Sequence, residues 1–286
     1  MHEHIKQRLD QIISNLTQLP SLPDIVSRII NMVNDPNVDF NLVASEISKD
    51  QAITANILKL CNSAYFSKGK EIASLDRAIV TLGLKEVKDM IVVATTKQVL
   101  DKTIMGYDLA KGELWKHNLA VAMLSKQIAL DKKKKAAADI VFTGGIIHDV
   151  GKTVLALFVA NTFKDILNYT IENQVSFNEA EREIMGYNHQ EIGKKVLQKW
   201  KFPEVLQDVV EFHHTPSLAP EVNREVVSIV HVANAICLMA GVGIGGDGLY
   251  QELSQYAIEK TGLTESEIEK YYSNVPELLN QMKNIM

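Results

Sequence analysis

The placement of proline constrains the fold of this chain more than any other feature of its sequence. None of the seven prolines lies between residues 37 and 202. Proline breaks helix interiors because it lacks an amide N–H and its ring clashes with the preceding turn. A long proline-free span with apolar residues at three- and four-residue spacing predicts successive helices. Runs of alternating β-branched residues between tight turns are absent, so the sequence predicts an all-α fold.

Local signals predict where several helices begin and end. Ser74 is predicted to cap a short helix that ends at Gly83. Pro23 is predicted to open a helix that stops at Asp35-Pro36. The capping-box pattern, in which Ser or Thr precedes Glu by three positions, marks two further starts. These are Ser176-x-x-Glu179 and Thr264-x-x-Glu267. Separate C-terminal helices are predicted over residues 265–270 and 276–286.

Polar residues interrupt the apolar pattern between residues 101 and 107, which predicts a domain boundary. We therefore expect an N-terminal helical domain over residues 1–105. A second helical domain, with the C-terminal helices, is expected over residues 106–286. The two are expected to form two packed helical lobes. The glycine-rich segment 241–248 lacks the Gly-Lys-Ser/Thr ending of a phosphate loop and is interpreted as a connecting loop.

Composition excludes several classes of protein. The net charge of −5 and the pI of about 5.9 argue against a general nucleic-acid binder, which needs a basic face. The only cysteines, Cys61 and Cys237, lie in apolar helical patterns and indicate a reducing cytosol. The N-terminus has no apolar core of the signal-peptide type. No run of about 18 uncharged apolar residues is present, so we expect a cytoplasmic protein without a membrane span.

Histidine placement carries the strongest functional signal. Six of the eight histidines lie between residues 117 and 231, most of them beside apolar helical stripes. The segment 144–152, GGIIHDVGK, holds the adjacent pair His148-Asp149. Imidazole and carboxylate together suit a divalent transition metal. Lys152 adds a point charge beside the pair that suits an anionic oxygen. The alternative interpretation is a set of buried, hydrogen-bonded histidines.

The wider pattern resembles the HDOD branch of the HD superfamily of metal-dependent phosphohydrolases, a relative of the HD-GYP cyclic-dinucleotide phosphodiesterases. The resemblance covers roughly residues 16–240. Its N-terminal part is as specific as the histidines. The matching segments are LPSLPDIVSRIINMVN (19–34), ISKDQA (47–52), LCNSA (60–64) and SLDRAI (74–79), followed by Leu82-Gly83.

The resemblance implies a role for each histidine of the pattern. His117 matches the first HD ligand, and His148 and Asp149 match the paired ligands. His189, His213 and His214 match the additional histidines of HD-GYP-like sites. Lys152 matches a lysine that meets phosphate, so Lys152 and Asp149 are the expected catalytic residues of an active enzyme. Such a site is expected to take one or two divalent ions, with iron, manganese, zinc and nickel all open.

The sequence departs from the HD pattern at its last ligand. HD enzymes carry a final Asp on a late helix, whereas Asn234 stands at the matching place here. A neutral amide is a weaker oxygen ligand and cannot act as a general base. His231 lies three residues earlier on the same helical face and is an alternative extra ligand, or else a core histidine. The GYP motif itself is missing.

Three functions follow from the resemblance. The first is a bacterial signal-transduction module without catalysis, which acts through contacts with signalling proteins and keeps a retained or vestigial metal site. The second is a metal-dependent phosphohydrolase or phosphodiesterase that acts on a nucleotide or a cyclic dinucleotide. The third is a module that binds such a ligand without cleaving it. Asn234, the missing GYP motif and the whole N-terminal domain favour the first.

Overall fold

The computed structural model describes residues 38–67, 72–101, 104–246 and 252–283, together with residues 7, 9–11, 28, 29, 32 and 285. Within these residues the chain is helical and forms no extended strand, and its β-bridge pairs Ile104 with Leu109. The all-α prediction is confirmed. Most of the helix predicted to begin at Pro23 lies outside the described residues.

The described residues divide into two compact units. The larger unit holds those of Met1–Ser21 and Val99–Val275, and the smaller unit holds those of Leu22–Gln98 and Pro276–Met286. The division of the chain at residues 105 and 106 into an N-terminal and a C-terminal domain stays a prediction.

The smaller unit is built on four helices with explicit caps. The Asp39 and Asp50 side chains accept hydrogen bonds from the first turns of α1 and α2, and Ser74 caps α3 as predicted. Gly83, at φ +96°, ends α3 and separates it from α4. The helices are Phe40–Ser48 (α1), Gln51–Cys61 (α2), Leu75–Leu82 (α3) and Leu84–Leu100 (α4), whose last two residues belong to the larger unit.

After α4, the larger unit continues with a short 3-10 turn, Met105–Tyr107, and carries the α-helices that follow. These are Glu113–Asp131 (α5), Ala138–Ile147 (α6), Lys152–Asn173 (α7), Phe177–Met185 (α8), His189–Lys199 (α9), Glu204–Phe212 (α10), Arg224–Met239 (α11), Gln255–Thr261 (α12) and Glu265–Met282 (α13), whose residues from Pro276 onward belong to the smaller unit. Helix α5 lies at the centre and packs on α6 and α11. Its side chains are buried around most of its circumference, which is typical of a central core helix.

The predicted starts of α8 and α13 are confirmed. The Ser176 backbone N–H donates to Glu179 at 3.0 Å, and the Thr264 backbone N–H donates to Glu267 at 2.8 Å. In each case the carboxylate satisfies an amide that the first helical turn leaves without a partner.

The prediction of two separate C-terminal helices was wrong. A single helix, Glu265–Met282, runs through both predicted segments and contains Pro276 in its interior. Proline removes the hydrogen bond to the carbonyl four residues earlier, which belongs to Tyr272. Tyr272 is an exposed residue, so water can take the place of the missing donor.

Two glycines allow the helices around the histidines to approach closely. A Cβ atom at Gly145 of α6 would lie 2.6 Å from the Ala122 Cα of α5. A Cβ atom at Gly151, which precedes α7, would lie 1.8 Å from the backbone oxygen of His189 and 2.7 Å from the backbone nitrogen of Gly193. Any side chain at these positions would push apart the backbones that carry His148 and His189.

One stretch of the described chain, Glu221–Met239, is long and apolar enough to cross a membrane by composition, with a mean hydropathy of 1.3. The consecutive stretches Ala138–Ala156 and Phe158–Asn173 pass the same test only as a pair, which is bent by 100°. In the first stretch, 67% of the apolar window is buried inside the protein, which is typical of a core helix. The expectation that the chain does not span a membrane stays a prediction.

We expect Gly151→Ala to lower the free energy of unfolding by about 3 kcal/mol or more, because the added methyl group overlaps fixed backbone atoms. Gly262→Ala is the control, since nothing lies within 4 Å of its added Cβ. The control carries only the strain of a positive φ, about 1–2 kcal/mol. Urea unfolding of both variants measures the difference. Equal losses in the two variants would contradict the close approach at Gly151.

Candidate metal centre

The fold brings together six predicted ligands from four places in the chain. His117 comes from the middle of α5, and the His148-Asp149 pair follows directly after α6. His189 is the first residue of α9, and His213-His214 follows the end of α10. All of these residues except the partly exposed His214 are at most 2% exposed.

The Asp149 carboxylate lies between two groups of histidines. Its Oδ2 atom is 3.4 Å from His148 Nε2 and 3.9 Å from His117 Nε2. Its Oδ1 atom is 3.6 Å from the Nε2 atoms of both His189 and His213. We call the first group, His117, His148 and Asp149 Oδ2, the HD half. We call the second group, His189, His213, His214 and Asp149 Oδ1, the three-histidine half. The ligand atoms of its three histidines lie within 4.8 Å of one another.

Backbone carbonyls fix the tautomers of His148 and His213. Because a carbonyl oxygen only accepts, His148 Nδ1–H donates to Gly145 and His213 Nδ1–H donates to Val210, both at 2.8 Å. Each Nε2 atom therefore carries a lone pair that points into the centre. Neither Nε2 atom, nor Asp149 Oδ1, has a hydrogen-bond partner among the described residues.

Glu181 holds His189 in the same orientation, and sequence reasoning missed it. Its Oε2 atom accepts from His189 Nδ1–H at 2.7 Å and from the His189 backbone N–H at 3.0 Å. Its Oε1 atom accepts from the Tyr107 hydroxyl. A carboxylate behind a ligating histidine is the usual outer partner of a metal site. The signal in the sequence was an acidic residue on the apolar stripe of α8, between Phe177 and Ile184. In the structure this residue is fully buried.

Asn234 of α11 joins the HD half. His117 Nδ1–H donates to the Val242 carbonyl at 2.8 Å, so His117 Nε2 carries the lone pair. The Asn234 side-chain oxygen lies 2.9 Å from that nitrogen. The residue that replaces the expected aspartate therefore stands where a ligand would.

His231 does not contribute a ligand atom to the centre. Its Nδ1–H donates to the His213 backbone carbonyl at 2.7 Å, and its Nε2 accepts from the Ser254 backbone N–H at 3.0 Å. With both ring nitrogens engaged, His231 supports the backbone of a neighbouring histidine and acts as a core residue.

Lys152 is engaged inside the centre. Its ammonium group donates to Asp149 Oδ2 at 2.6 Å and lies 5.7 Å from the centroid of the Tyr107 ring. Burial raises the pKa of Asp149, but the charges of His148 and Lys152 outweigh it and hold that pKa well below its usual value. Asp149 is therefore a carboxylate at neutral pH, and Lys152 is its cation.

Three imidazoles of the centre, those of His117, His213 and His214, favour their neutral form. Burial, followed by the nearby His148, lowers the pKa of His117 to about 4. Burial likewise lowers the pKa values of His213 and His214 well below the usual range for histidine. Neutral imidazoles and a carboxylate are the donor set that zinc, iron, manganese and nickel accept. The unsatisfied lone pairs and this donor set fit a divalent ion.

A cleft of about 750 Å³ opens beside the three-histidine half. His214 lines it, together with residues around the start of α8 and residues 252–256. The described residues that line it include no lysine or arginine, whereas Glu179 and Glu252 contribute carboxylates. The cleft gives a small molecule or water a route to His214.

We expect Glu181→Gln to weaken binding of Zn²⁺ about 10- to 100-fold, because the substitution removes the carboxylate that orients His189. Glu179→Gln is the matched control, since Glu179 lies on the same helix but only caps its start. Calorimetric titration of zinc-free protein measures both affinities. The outer role of Glu181 is contradicted if the two variants bind Zn²⁺ equally well.

Comparison with known proteins identifies the family. The family model described as HDOD domain matches residues 19–216. An uncharacterised protein of Treponema pallidum is 24% identical over 223 residues, which are 78% of this chain. The chain spans only 43% of the length of that relative.

Solved structures share the fold. An HDOD domain protein of unknown function from Geobacter sulfurreducens is 26% identical, with a TM-score of 0.74 and coverage of 94% of this chain and 97% of that one. A protein provisionally described as a phosphohydrolase, from Shewanella amazonensis, is 21% identical with a TM-score of 0.68 and coverage of 97% and 94%.

A protein provisionally described as a signal transduction protein, from Marinobacter aquaeolei, is 15% identical, with a TM-score of 0.75 and coverage of 98% of this chain and 64% of that one. The two structures that are less than 25% identical to this chain support the fold alone. The family model covers more than half of the chain, so this protein belongs to the HDOD domain family.

Proposed function

We propose that this chain is a bacterial signal-transduction module that acts through contacts with other signalling proteins and holds a divalent metal in its histidine centre. The observation that carries the proposal is the pairing inside the HD half. Asp149 Oδ2 accepts a hydrogen bond from the Lys152 ammonium group, and the neutral Asn234 stands where a second carboxylate is expected. Both features weaken a two-ion catalytic site and leave a single-ion structural or sensing site intact.

The donor chemistry supports the metal. His148 Nε2, His213 Nε2 and Asp149 Oδ1 are buried without a hydrogen-bond partner in the described part of the chain. An unsatisfied buried polar atom costs about 1–3 kcal/mol, and a cation between such atoms removes that cost. Two sets of residues could hold an ion: His189, His213 and His214 form one, and His117, His148 and Asp149 form the other. Asp149 Oδ1 also faces the first set, at 3.6 Å from the Nε2 atoms of His189 and His213.

Charge at the centre argues against Lys152 as a free phosphate-binding group. Lys152 is only 5% exposed, and its ammonium group donates to Asp149 Oδ2 at 2.6 Å. A phosphate would have to compete with that carboxylate for the same ammonium. The cleft beside His214 adds carboxylates and no lysine or arginine, so it offers a polyanionic dinucleotide little compensation.

A cytoplasmic location is proposed on the basis of the cysteines. Cys61 and Cys237 are both unpaired by disulfide and buried, and burial raises the pKa of the Cys61 thiol to about 11. Buried, protonated thiols of this kind suit a reducing compartment.

The second candidate function is a metal-dependent phosphohydrolase that acts on a nucleotide or cyclic dinucleotide. The convergence of six ligands beside an open cleft favours it. A bound divalent ion supplies Lewis acidity that activates water at neutral pH. In this alternative the chain itself would position the substrate in the cleft, and Lys152 would have to exchange Asp149 for the phosphate. Binding of the same ligand without cleavage is the third alternative.

Assays of nucleotide and cyclic-dinucleotide hydrolysis with Zn²⁺, Mn²⁺ and Fe²⁺ separate these functions. We expect no turnover above the level of His148→Ala, because Asn234 cannot serve as a general base. Hydrolysis by the native chain that disappears in His148→Ala would overturn the non-catalytic proposal and establish the enzyme. Saturable binding of a dinucleotide without product would support the third alternative.

Metal content tests the centre itself. We expect tag-free protein to retain a divalent ion that mass spectrometry detects, and we expect His213→Ala to lose it, because His213 Nε2 is directed into the centre. Glu252→Gln, on the rim of the cleft, is the control that keeps the ion. Native protein that binds none of the added divalent ions would refute the metal centre.

A further inference from the structure

We infer that the centre takes one divalent ion, held in the three-histidine half, and that Lys152 and Asn234 together fill the place of a second ion in the HD half. The inference rests on the proposed metal centre. It specifies how many ions that centre holds and which ligands hold them.

The spacing of ligand atoms in the three-histidine half fits a single ion. His189 Nε2 lies 3.2 Å from His214 Nε2, and Asp149 Oδ1 lies 3.6 Å from the Nε2 atoms of His189 and His213. In a tetrahedral site with metal–ligand bonds of about 2.1 Å, neighbouring ligand atoms stand about 3.4 Å apart. These three separations lie close to that spacing, and the ligand atoms of the three histidines all lie within 4.8 Å of one another.

Hydrogen bonding distinguishes the two halves. In the three-histidine half, His213 Nε2 and Asp149 Oδ1 are buried and have no hydrogen-bond partner among the described residues. In the HD half only His148 Nε2 is in that position, since Asp149 Oδ2 already accepts from Lys152. Unsatisfied buried acceptors are costly, so the three-histidine half gains more from a cation.

Asn234 can satisfy His117 without an ion. His117 Nε2 carries a lone pair, since its Nδ1–H donates to Val242. The Asn234 amide lies 2.9 Å away, and a 180° turn of the amide places its NH₂ group on that nitrogen. An aspartate at this place has no proton to donate and would need a cation. The substitution therefore converts a ligand pair into a hydrogen bond.

Charge opposes a second ion. A histidine binds a metal ion in its neutral form, so the buried charged groups that remain in the centre are Asp149, Glu181 and Lys152, whose formal charges sum to −1. One divalent ion brings that sum to +1, and a second would bring it to +3. An uncompensated buried charge of that size is strongly unfavourable. Lys152 already supplies the positive charge that a second ion would supply to Asp149 Oδ2.

Access favours the same half. His214 lines the cleft, whereas no residue of the HD half does; His189 and His213 lie behind His214 and are as buried as His117 and His148. An ion reaches the three-histidine half from solvent, and any ligand that enters the cleft meets the ion there.

Zinc stoichiometry of the full chain tests the inference. Chelator-treated protein is titrated with Zn²⁺, separated by gel filtration and analysed by mass spectrometry for bound zinc. We expect about one Zn²⁺ per chain in the native protein. We expect His214→Gln to weaken that site roughly 10-fold or more, and the matched His117→Gln to leave it within about threefold. The double variant Lys152→Met, Asn234→Asp is expected to bind about two ions.

The outcomes separate this inference from the proposed function. Two ions in the native chain, or loss of the ion in His117→Gln but not in His214→Gln, would overturn the single three-histidine site. A folded double variant that still binds one ion would overturn the role of Lys152 and Asn234. Circular dichroism and thermal unfolding establish folding, and Asn234→Asp alone replaces the double variant if that variant unfolds. Native protein without saturable Zn²⁺ binding would refute the metal centre as a whole.

Discussion

The Asp149 carboxylate is the interaction on which the rest of the centre depends. One oxygen faces the imidazoles of α9 and the end of α10, and the other accepts from Lys152 and faces His117 and His148. A buried carboxylate needs compensation on both sides, and this one receives an ammonium on one side only. The uncompensated oxygen sets the position where a cation is favoured.

Fixed hydrogen-bond acceptors behind the histidines make that centre specific. Gly145, Val210 and Val242 offer carbonyls, and Glu181 offers a carboxylate, each to the Nδ1–H of a different histidine. The same atom, Nε2, is thereby directed inward four times. Preorganised lone pairs of this kind bind an ion with little loss of side-chain entropy, since the rings are already held by packing.

The balance between catalysis and signalling depends on a single side-chain group, the one at position 234. An aspartate at position 234 would add a charge and a general base, whereas the Asn234 amide, which lies 2.9 Å from His117 Nε2, can donate a hydrogen bond to that nitrogen after a 180° turn. Lys152, paired within the centre, offsets Asp149. The result is a site whose ligands persist while the charge that supports a second ion is missing. A family member with this centre is suited to reporting on a bound ion or on a partner.

Proline placement, capping pairs and family motifs are local in the chain, so the all-α fold, the capped helix starts, the six candidate ligand residues and the departure at Asn234 could be predicted from the sequence. Three other points follow only from how the helices pack. Glu181 accepts a hydrogen bond from His189, both ring nitrogens of His231 are hydrogen-bonded to backbone groups, and Lys152 pairs with Asp149. Each depends on contacts between segments far apart in sequence or on rotamers set by packing. The continuous helix through Pro276 has the same origin, since solvent exposure of Tyr272 decided whether the chain could tolerate that proline.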